Sequence, residues 1–227
     1  MSQDSAESFR PNRESFDALY RGESPFPGGP PPGTVPWDVG QAQPRLMELE
    51  ALGAIRGDVL DIGCGLGDNA IFLAARGHPV IGLDGSPTAV EQARTRAAAA
   101  GVQVRFDVAD ATELTGYDAA FDTVIDSALF HCLGADQQRA YAAALHRATR
   151  PGARLFLYCF AAGDVNGVEA AGGAVAEGTL RDTLGAAGWH IDFLGPTTYL
   201  ANTAGFGSGT EELPEELRAA IPPERVA

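Results

Sequence analysis

Between positions 61 and 84, acidic residues flank a run of spaced glycines in a pattern that could hold a nucleoside. Asp61 lies in a short apolar run, and three glycines spaced two residues apart follow it: Gly63, Gly65 and Gly67. Glycines at a strand-to-helix turn permit unusual backbone angles and let a ligand lie against the main chain. Asp84 ends the next apolar run. An acid in that position can accept hydrogen bonds from both hydroxyls of a ribose.

This turn could bind one of two kinds of nucleotide-like ligand. A dinucleotide site requires the pattern G-x-G-x-x-G/A, but this chain has Asp68 at the last position. A carboxylate there would repel a pyrophosphate. The observed D-x-G-x-G-x-G pattern instead suits a ligand with an adenosine, no phosphate and a positively charged end. S-adenosylmethionine (SAM) has these three features, and a nicotinamide-dependent oxidoreductase is the less favoured alternative.

Apolar runs alternate with helical patterns along the chain, which predicts an α/β fold with a doubly wound, mainly parallel sheet and helices on both faces. The predicted strands cover 59–62, 79–83, 102–108, 121–126, 154–160 and 189–194. The predicted helices cover 14–20, 43–52, 68–75, 87–100, 135–148 and 179–187, with Asp38 and Ser86 as caps of the second and fourth. Ligands bind at the carboxyl ends of parallel strands. We therefore expect Asp61, Asp84, Asp110 and Asp126 to converge on one crevice, although each could instead cap a helix.

Three segments are expected: an N-terminal lid segment (1–40), a SAM-binding domain (41–200) and an acidic, glycine-rich tail (201–227). The proline- and glycine-rich stretch 25–33 cannot form regular structure, so it is either a linker or a mobile segment that folds over the site. Trp37 favours the second interpretation, because a tryptophan so near a loop usually packs on something. A helix over 14–20 would place Phe16 and Tyr20 on one face.

Composition narrows the class of protein. The 227 residues suit one domain, and 16 basic against 30 acidic residues give a net charge of −14. Such a surface disfavours nucleic acid and anionic membranes. All 16 basic residues are arginines, which excludes a lysine Schiff base and a P-loop lysine. Three cysteines, and the lack of a membrane-spanning run or a signal peptide, lead us to expect a reduced, cytoplasmic protein, monomeric or homodimeric.

The segments VLDIGCGLG, VIGLD, FDVADATEL, FDTVIDSALFH and RPGARLFLY resemble class I SAM-dependent methyltransferases over residues 59–160. The block FDALYRG…PWDVGQAQPRLMEL is similar to the small-molecule branch, which includes thiopurine, halide/thiol and bacterial heterocycle or quinone methyltransferases. The resemblance implies a Rossmann-like sheet of seven strands, the last one antiparallel. It also implies methyl transfer from SAM to a sulfur, nitrogen or oxygen of a small, largely apolar or aromatic molecule. A non-catalytic SAM-binding protein is the alternative. No clear seventh strand follows Tyr199.

The resemblance assigns a role to each motif position in the cofactor site. The methionine end would be held by Asp61 and the glycine turn, the ribose by Asp84, and the adenine by Asp110 and Ala111. Asp126 and Ser127 would approach the methionine amine and the sulfonium. Further residues expected around SAM are Trp37, Cys64, Gly85 and Ser86.

The acceptor side of the site centres on His131, which follows the fourth strand by five residues. It is predicted to be a general base, a hydrogen-bond donor that positions the acceptor, or a pocket wall. Asp126 and Tyr20 are lesser catalytic candidates. The remaining histidines have no metal-site spacing, so no metal is expected. The expected substrate pocket consists of Phe16, Tyr20, Trp37, Phe130, His131 and Phe160, with a core role as the alternative for Phe130 and Phe160.

Overall fold

The computed structural model describes residues 12–24, 33–162 and 174–202. The six helices are α1 (Arg13–Tyr20), α2 (Pro44–Ala51), α3 (Asp68–Ala74), α4 (Pro87–Ala99), α5 (Ala135–Ala148) and α6 (Glu177–Ala186) within these ranges. The five strands described are β1 (Val59–Ile62), β2 (Val80–Asp84), β3 (Arg105–Val108), β4 (Phe121–Ser127) and β5 (Thr149–Tyr158). The stretch 25–32 and most of the predicted tail, 203–227, lie outside the described residues.

The strands form one parallel sheet in the order β3-β2-β1-β4-β5. Ile62 at the end of β1 pairs with Leu83 on one side and with Asp126 on the other. The chain runs outward from β1 to β3, then returns to β4 on the opposite side of β1. The carboxyl ends of β1 and β4 therefore border the topological switch point, where ligands bind in open α/β sheets. The predicted doubly wound α/β architecture is confirmed.

Both faces of the sheet are covered, which explains why β1 is almost wholly apolar. Leu60 and Ile62 pack on one face with Tyr141 and Leu145 of α5. Val59 packs on the opposite face in a cluster that includes side chains of α3 and α4. Asp61 is the one polar residue of this strand, and it is as buried as its neighbours.

Several predicted element boundaries are wrong. β3 begins at Arg105, and β5 begins at Thr149, where a register shift in β4 between Phe121 and Thr123 accommodates the earlier start. Gln43, not Asp38, occupies the N-cap position of α2. Ser86 caps α4 as predicted, because its hydroxyl accepts the Ala89 N–H at 3.0 Å.

The predicted sixth strand does not form, and residues 189–202 contain no strand. Trp189 instead lies just after α6. Its N–H donates to the Leu184 carbonyl of that helix, and its indole donates to the Ala142 carbonyl of α5. The sheet of the described chain thus has five strands, not the seven that the resemblance implied. In the described ranges no helix is long and apolar enough to span a membrane.

Candidate active site

Asp61 lies near the carboxyl end of β1. We term the edge of the sheet formed by the carboxyl ends of the strands the rim. Asp61 is 1% exposed, and neither carboxylate oxygen has a hydrogen-bond partner among the described residues. Burial raises the pKa of Asp61 to about 7, and the carboxylates of Asp84 and Asp126 act in the same direction. The Ala70 N–H lowers this pKa but does not reach hydrogen-bonding geometry. A buried, unpaired carboxylate is costly, so this position suits a cationic group of a ligand.

The glycine turn joins β1 to α3 with positive φ at all three glycines: +68° at Gly63, +52° at Gly65 and +84° at Gly67. A Cβ on Gly63 would lie 2.9 Å from Leu129, and one on Gly67 would lie 2.8 Å from Phe106. These two glycines are therefore required by the protein's own packing and not only by a ligand. A Cβ on Gly65 would lie 2.8 Å from the hydroxyl of Tyr20.

Asp84 is fixed at the end of β2 by two backbone donors. Its Oδ2 accepts the Gly65 N–H at 2.9 Å, and its Oδ1 accepts the Ser86 N–H at 2.8 Å. Burial raises the pKa of Asp84, and these two hydrogen bonds oppose that shift. Each oxygen keeps a second acceptor position, so the carboxylate can still receive ribose hydroxyls. Gly85 lies under the side chain of Arg13.

Helix α1 lies over the start of α4. The Asp17 carboxylate accepts hydrogen bonds from the Ser86 hydroxyl at 2.5 Å and the Thr88 N–H at 3.1 Å. Although burial acts to raise it, these hydrogen bonds lower the pKa of Asp17. The Tyr20 carbonyl at the other end of α1 accepts from Gln92 at 2.8 Å. Asp17 thus satisfies donors at the N-terminus of α4, where a negative charge is favoured.

An aromatic cluster of Phe16, Tyr20 and Trp37 lies against the glycine turn. Trp37 Nε1–H donates to the Tyr20 hydroxyl at 2.8 Å, and its ring lies edge-on to both Phe16 and Tyr20. Burial raises the pKa of Tyr20 well above its usual value, so the phenol stays neutral. The described part of the N-terminal segment therefore packs on the glycine turn.

Arg96 of α4 links this segment to the turn. Its guanidinium forms a bidentate pair with Asp38, with both distances 2.9 Å, and approaches Asp68 at 3.3 Å. Asp38 was predicted to cap α2, but its carboxylate serves this ion pair instead. Asp68 is likewise not a free carboxylate beside a ligand, which weakens the repulsion argument drawn from its sequence position.

Asp126 is held by its own chain at the end of β4. It is fully buried, with Oδ1 accepting the Leu129 N–H and Oδ2 accepting the Tyr141 hydroxyl, both at 2.8 Å. Burial raises the pKa of Asp126 to about 7, against the effect of these hydrogen bonds. The Leu129 contact closes a turn in which Ala128 has a φ of +80°, a strained value for alanine. These contacts favour a structural role for Asp126 over proton transfer.

His131 is 8% exposed and stacks on Phe160, with ring centroids 4.2 Å apart. Its Nδ1 accepts the Phe160 N–H at 3.4 Å, which places the imidazole proton on Nε2. Burial lowers the pKa of His131 to about 4, so the ring is neutral at pH 7. The low pKa makes the ring a weak base, and its Nδ1 lone pair is already occupied. Among the three predicted roles, these observations favour a hydrogen-bond donor or a pocket wall over a general base.

The other predicted site residues lie in varied environments. Phe130 is fully buried against Tyr141, so it belongs to the core, whereas Phe160 is 45% exposed. Asp110 accepts from the N–H and hydroxyl of Thr112 and stabilises the turn that contains Ala111. Cys64 packs beside β2, close to Gly82. The Ser127 hydroxyl lies 3.3 Å from the hydroxyl of Tyr199, a residue that the sequence did not single out.

These features fit a nucleoside-binding α/β protein, and the acidic rim suits SAM. The unpaired Asp61 carboxylate fits the methionine amine, and the fixed carboxylate of Asp84 fits the ribose. Asp61, Asp84 and Asp126 make the rim acidic, which suits a ligand with a positively charged end.

Comparison with known proteins identifies the family. A family model described as a methyltransferase domain matches residues 59–152. The chain is 38% identical to 2-heptyl-1-hydroxyquinolin-4(1H)-one methyltransferase of Mycobacteroides abscessus, over 91% of this chain and 89% of that protein. This chain belongs to the SAM-dependent methyltransferases, and SAM is its cofactor.

Solved structures agree with this assignment. One, reported under "Conversion of a Disulfide Bond into a Thioacetal Group during Echinomycin Biosynthesis", is 55% identical with a TM-score of 0.57, over 63% of this chain and 58% of that one. Magnesium protoporphyrin IX methyltransferase from Synechocystis, solved with bound SAM, is 29% identical with a TM-score of 0.55, over 69% and 73% of the two chains.

Substitution Asp61→Asn is expected to stabilise the ligand-free protein at pH 8. The folded state raises the Asp61 pKa from 3.8 to about 7, so it binds more protons than the unfolded state between these values. Stability from this group is therefore present below pH 4 and lost as the pH rises through 7, by roughly 2–4 kcal/mol. Thermal unfolding between pH 5 and 8 should give a flatter profile for the variant. A lower melting temperature of Asp61→Asn at pH 8 would contradict this account.

Substitution Asp84→Ala is expected to weaken SAM binding by about 1–3 kcal/mol, because charge-assisted hydrogen bonds to the ribose are lost. Calorimetric titration with SAM measures the effect. Asp118→Ala is the matched control, because Asp118 is an exposed acid that pairs with Arg147 outside the site. Equal SAM affinities of the Asp84 variant and the wild type would reject the ribose role.

Proposed function

We propose that this enzyme methylates a sulfur, nitrogen or oxygen atom of a small, largely apolar or aromatic molecule. The observation that carries the proposal is the stacked pair of His131 and Phe160 beside the end of β4, where a half-exposed aromatic ring adjoins a neutral imidazole. The hydroxyquinolone named for the Mycobacteroides relative is a flat aromatic heterocycle, and such a ring could stack on Phe160. The net charge of −14 supports an acceptor other than nucleic acid.

The protein's part in the reaction is mainly to bind, orient and exclude water. Bound SAM supplies a methyl group on a sulfonium, which is already a good leaving group. Asp61 would hold the cationic end of the cofactor, and Asp84 would fix its ribose. The aromatic cluster and α1 would cover the glycine turn as a lid and keep water out. Correct orientation of two reacting groups can supply up to about 7–11 kcal/mol of the acceleration.

None of the three predicted catalytic candidates is well suited to act as a general base. The free lone pair of His131, on Nδ1, accepts the Phe160 N–H, and the low pKa of about 4 makes the ring a weak base. Both oxygens of Asp126 accept hydrogen bonds from the chain, and burial holds the Tyr20 phenol neutral. We therefore expect an acceptor atom that is nucleophilic without help at neutral pH. Thiolates, ring nitrogens and acidic hydroxyl groups meet this requirement.

Substitution of His131 distinguishes a donor from a base. His131→Gln keeps an N–H donor and should retain kcat within about threefold, whereas His131→Phe should lower kcat by about tenfold or more. The kcat of the wild type should show no His131 titration between pH 6 and 9, because its pKa is about 4. A large loss in both variants that is recovered at high pH would show that His131 acts as a base.

A screen of thiols, azoles and hydroxyquinolones with SAM tests the acceptor class by mass spectrometry of methylated products. We expect turnover of an aromatic acceptor, and loss of turnover in Asp84→Ala at subsaturating SAM. Turnover of no compound, together with intact SAM binding, would favour a non-catalytic SAM-binding protein. We further propose a cytoplasmic location, which the three free cysteines support, and a monomeric or homodimeric state.

A further inference from the structure

The phenol of Tyr199 lies at the carboxyl end of β4. Its hydroxyl is 3.3 Å from the hydroxyl of Ser127, the last residue of that strand. Burial raises the pKa of Tyr199, the Ser127 hydrogen bond opposes the shift, and the carboxylates of Asp126 and Asp61 add to it. Tyr199 is therefore a neutral hydroxyl close to the acidic rim, although it comes from the far end of the described chain.

The buried side-chain amide of Gln43 holds the chain next to Tyr199 in place. Gln43 Oε1 accepts the Leu200 N–H, and Gln43 Nε2 donates to the Leu200 carbonyl, both at 2.9 Å. Gln43 is 6% exposed, and its own N–H donates to Asn69 at 3.0 Å, in the first turn of α3. Without Leu200, both polar atoms of this side chain would lose these buried partners, which is unfavourable.

A second contact fastens the residues Tyr199–Asn202, which we term the C-terminal strap. The Asn202 N–H donates to the Pro36 carbonyl at 2.6 Å, and its side-chain amide donates to the Asp38 carbonyl at 3.0 Å. Pro36 and Asp38 flank Trp37 of the aromatic cluster. The strap and the N-terminal segment therefore close over the same site from both ends of the described chain.

We propose that Tyr199 is a positioning residue of the active site, which orients the Ser127 hydroxyl, and that Gln43 places Tyr199 there by clamping the C-terminal strap. Ser127 stands next to Asp126 at the switch point between β1 and β4. The methionine end of SAM is expected at this point, so the strap acts on cofactor binding and on methyl transfer. The inference rests on the proposed function only for its effect on methyl transfer.

A double-mutant cycle on SAM affinity tests the link between the two hydroxyls. Tyr199→Phe and Ser127→Ala should each weaken SAM binding by about threefold to tenfold in calorimetry, because one hydrogen bond is lost. The double variant should bind SAM no more weakly than the single variant with the lower SAM affinity, since both changes remove the same interaction. Thr95→Ala is the control, because the exposed Thr95 hydroxyl donates to the Glu91 carbonyl within α4, away from the strand ends.

Gln43→Ala tests the clamp without touching either hydroxyl. The substitution should weaken SAM binding by about threefold to tenfold and speed hydrogen exchange at the Leu200 and Asn202 amides. In the wild type, SAM should slow that exchange. Gln137→Ala, which removes a capping contact to Gly134, is the control and should change neither quantity. Melting temperatures of all variants establish that they are folded. If another variant is unfolded, the SAM affinity of Ser127→Ala and the hydrogen-exchange data still test the proposal.

The proposal would be overturned if Tyr199→Phe kept the SAM affinity and kcat/KM of the wild type. Fully additive losses of SAM affinity in the double variant would also overturn it. Unchanged exchange at Leu200 in Gln43→Ala would overturn the role of the clamp. These measurements need no acceptor except for kcat/KM. A failure of the proposed acceptor class would therefore leave SAM binding intact, and the two failures can be told apart.

Discussion

The structure depends on one unsatisfied interaction: the carboxylate of Asp61, buried in β1 without a hydrogen-bond partner among the described residues. A strand that is covered on both faces would be more stable with an apolar side chain at this position. We propose that the cationic end of the cofactor supplies the missing partner. On this proposal SAM binding and stability are linked, because the bound cofactor would offset the cost of burying this carboxylate.

Charged and amide side chains help to join the N-terminal segment and the C-terminal strap to the site. Asp17 satisfies the start of α4, Arg96 bridges Asp38 and Asp68, and Gln43 joins the strap to the start of α3. Hydrogen bonds of this kind have strict geometry, so they define one closed arrangement over the glycine turn. Each hydrogen bond contributes little net stability, which would suit the lid that we propose, because a lid must open for ligand exchange.

The local signals of the sequence predicted much of this site, and the long-range pairs were missed. The glycine turn, the cap at Ser86 and the position of Asp84 at a strand end follow from neighbouring residues, and all three are found. Asp38 looked like a cap, but its partner Arg96 is 58 positions away. Tyr141 carried one detectable signal: a hydroxyl on the apolar face of α5 needs a buried partner, which proved to be Asp126. Nothing local marked Tyr199, or showed that Trp189 would pack on α5 instead of starting a strand.

The most direct test of the central claim is an NMR titration of the Asp61 side-chain carboxyl carbon, with and without SAM. This account predicts a pKa of about 7 in the free protein. It also predicts a clear fall when the cationic cofactor binds, because a nearby positive charge favours the ionised form. An ordinary aspartate pKa in the free protein, or a raised pKa that SAM leaves unchanged, would contradict it.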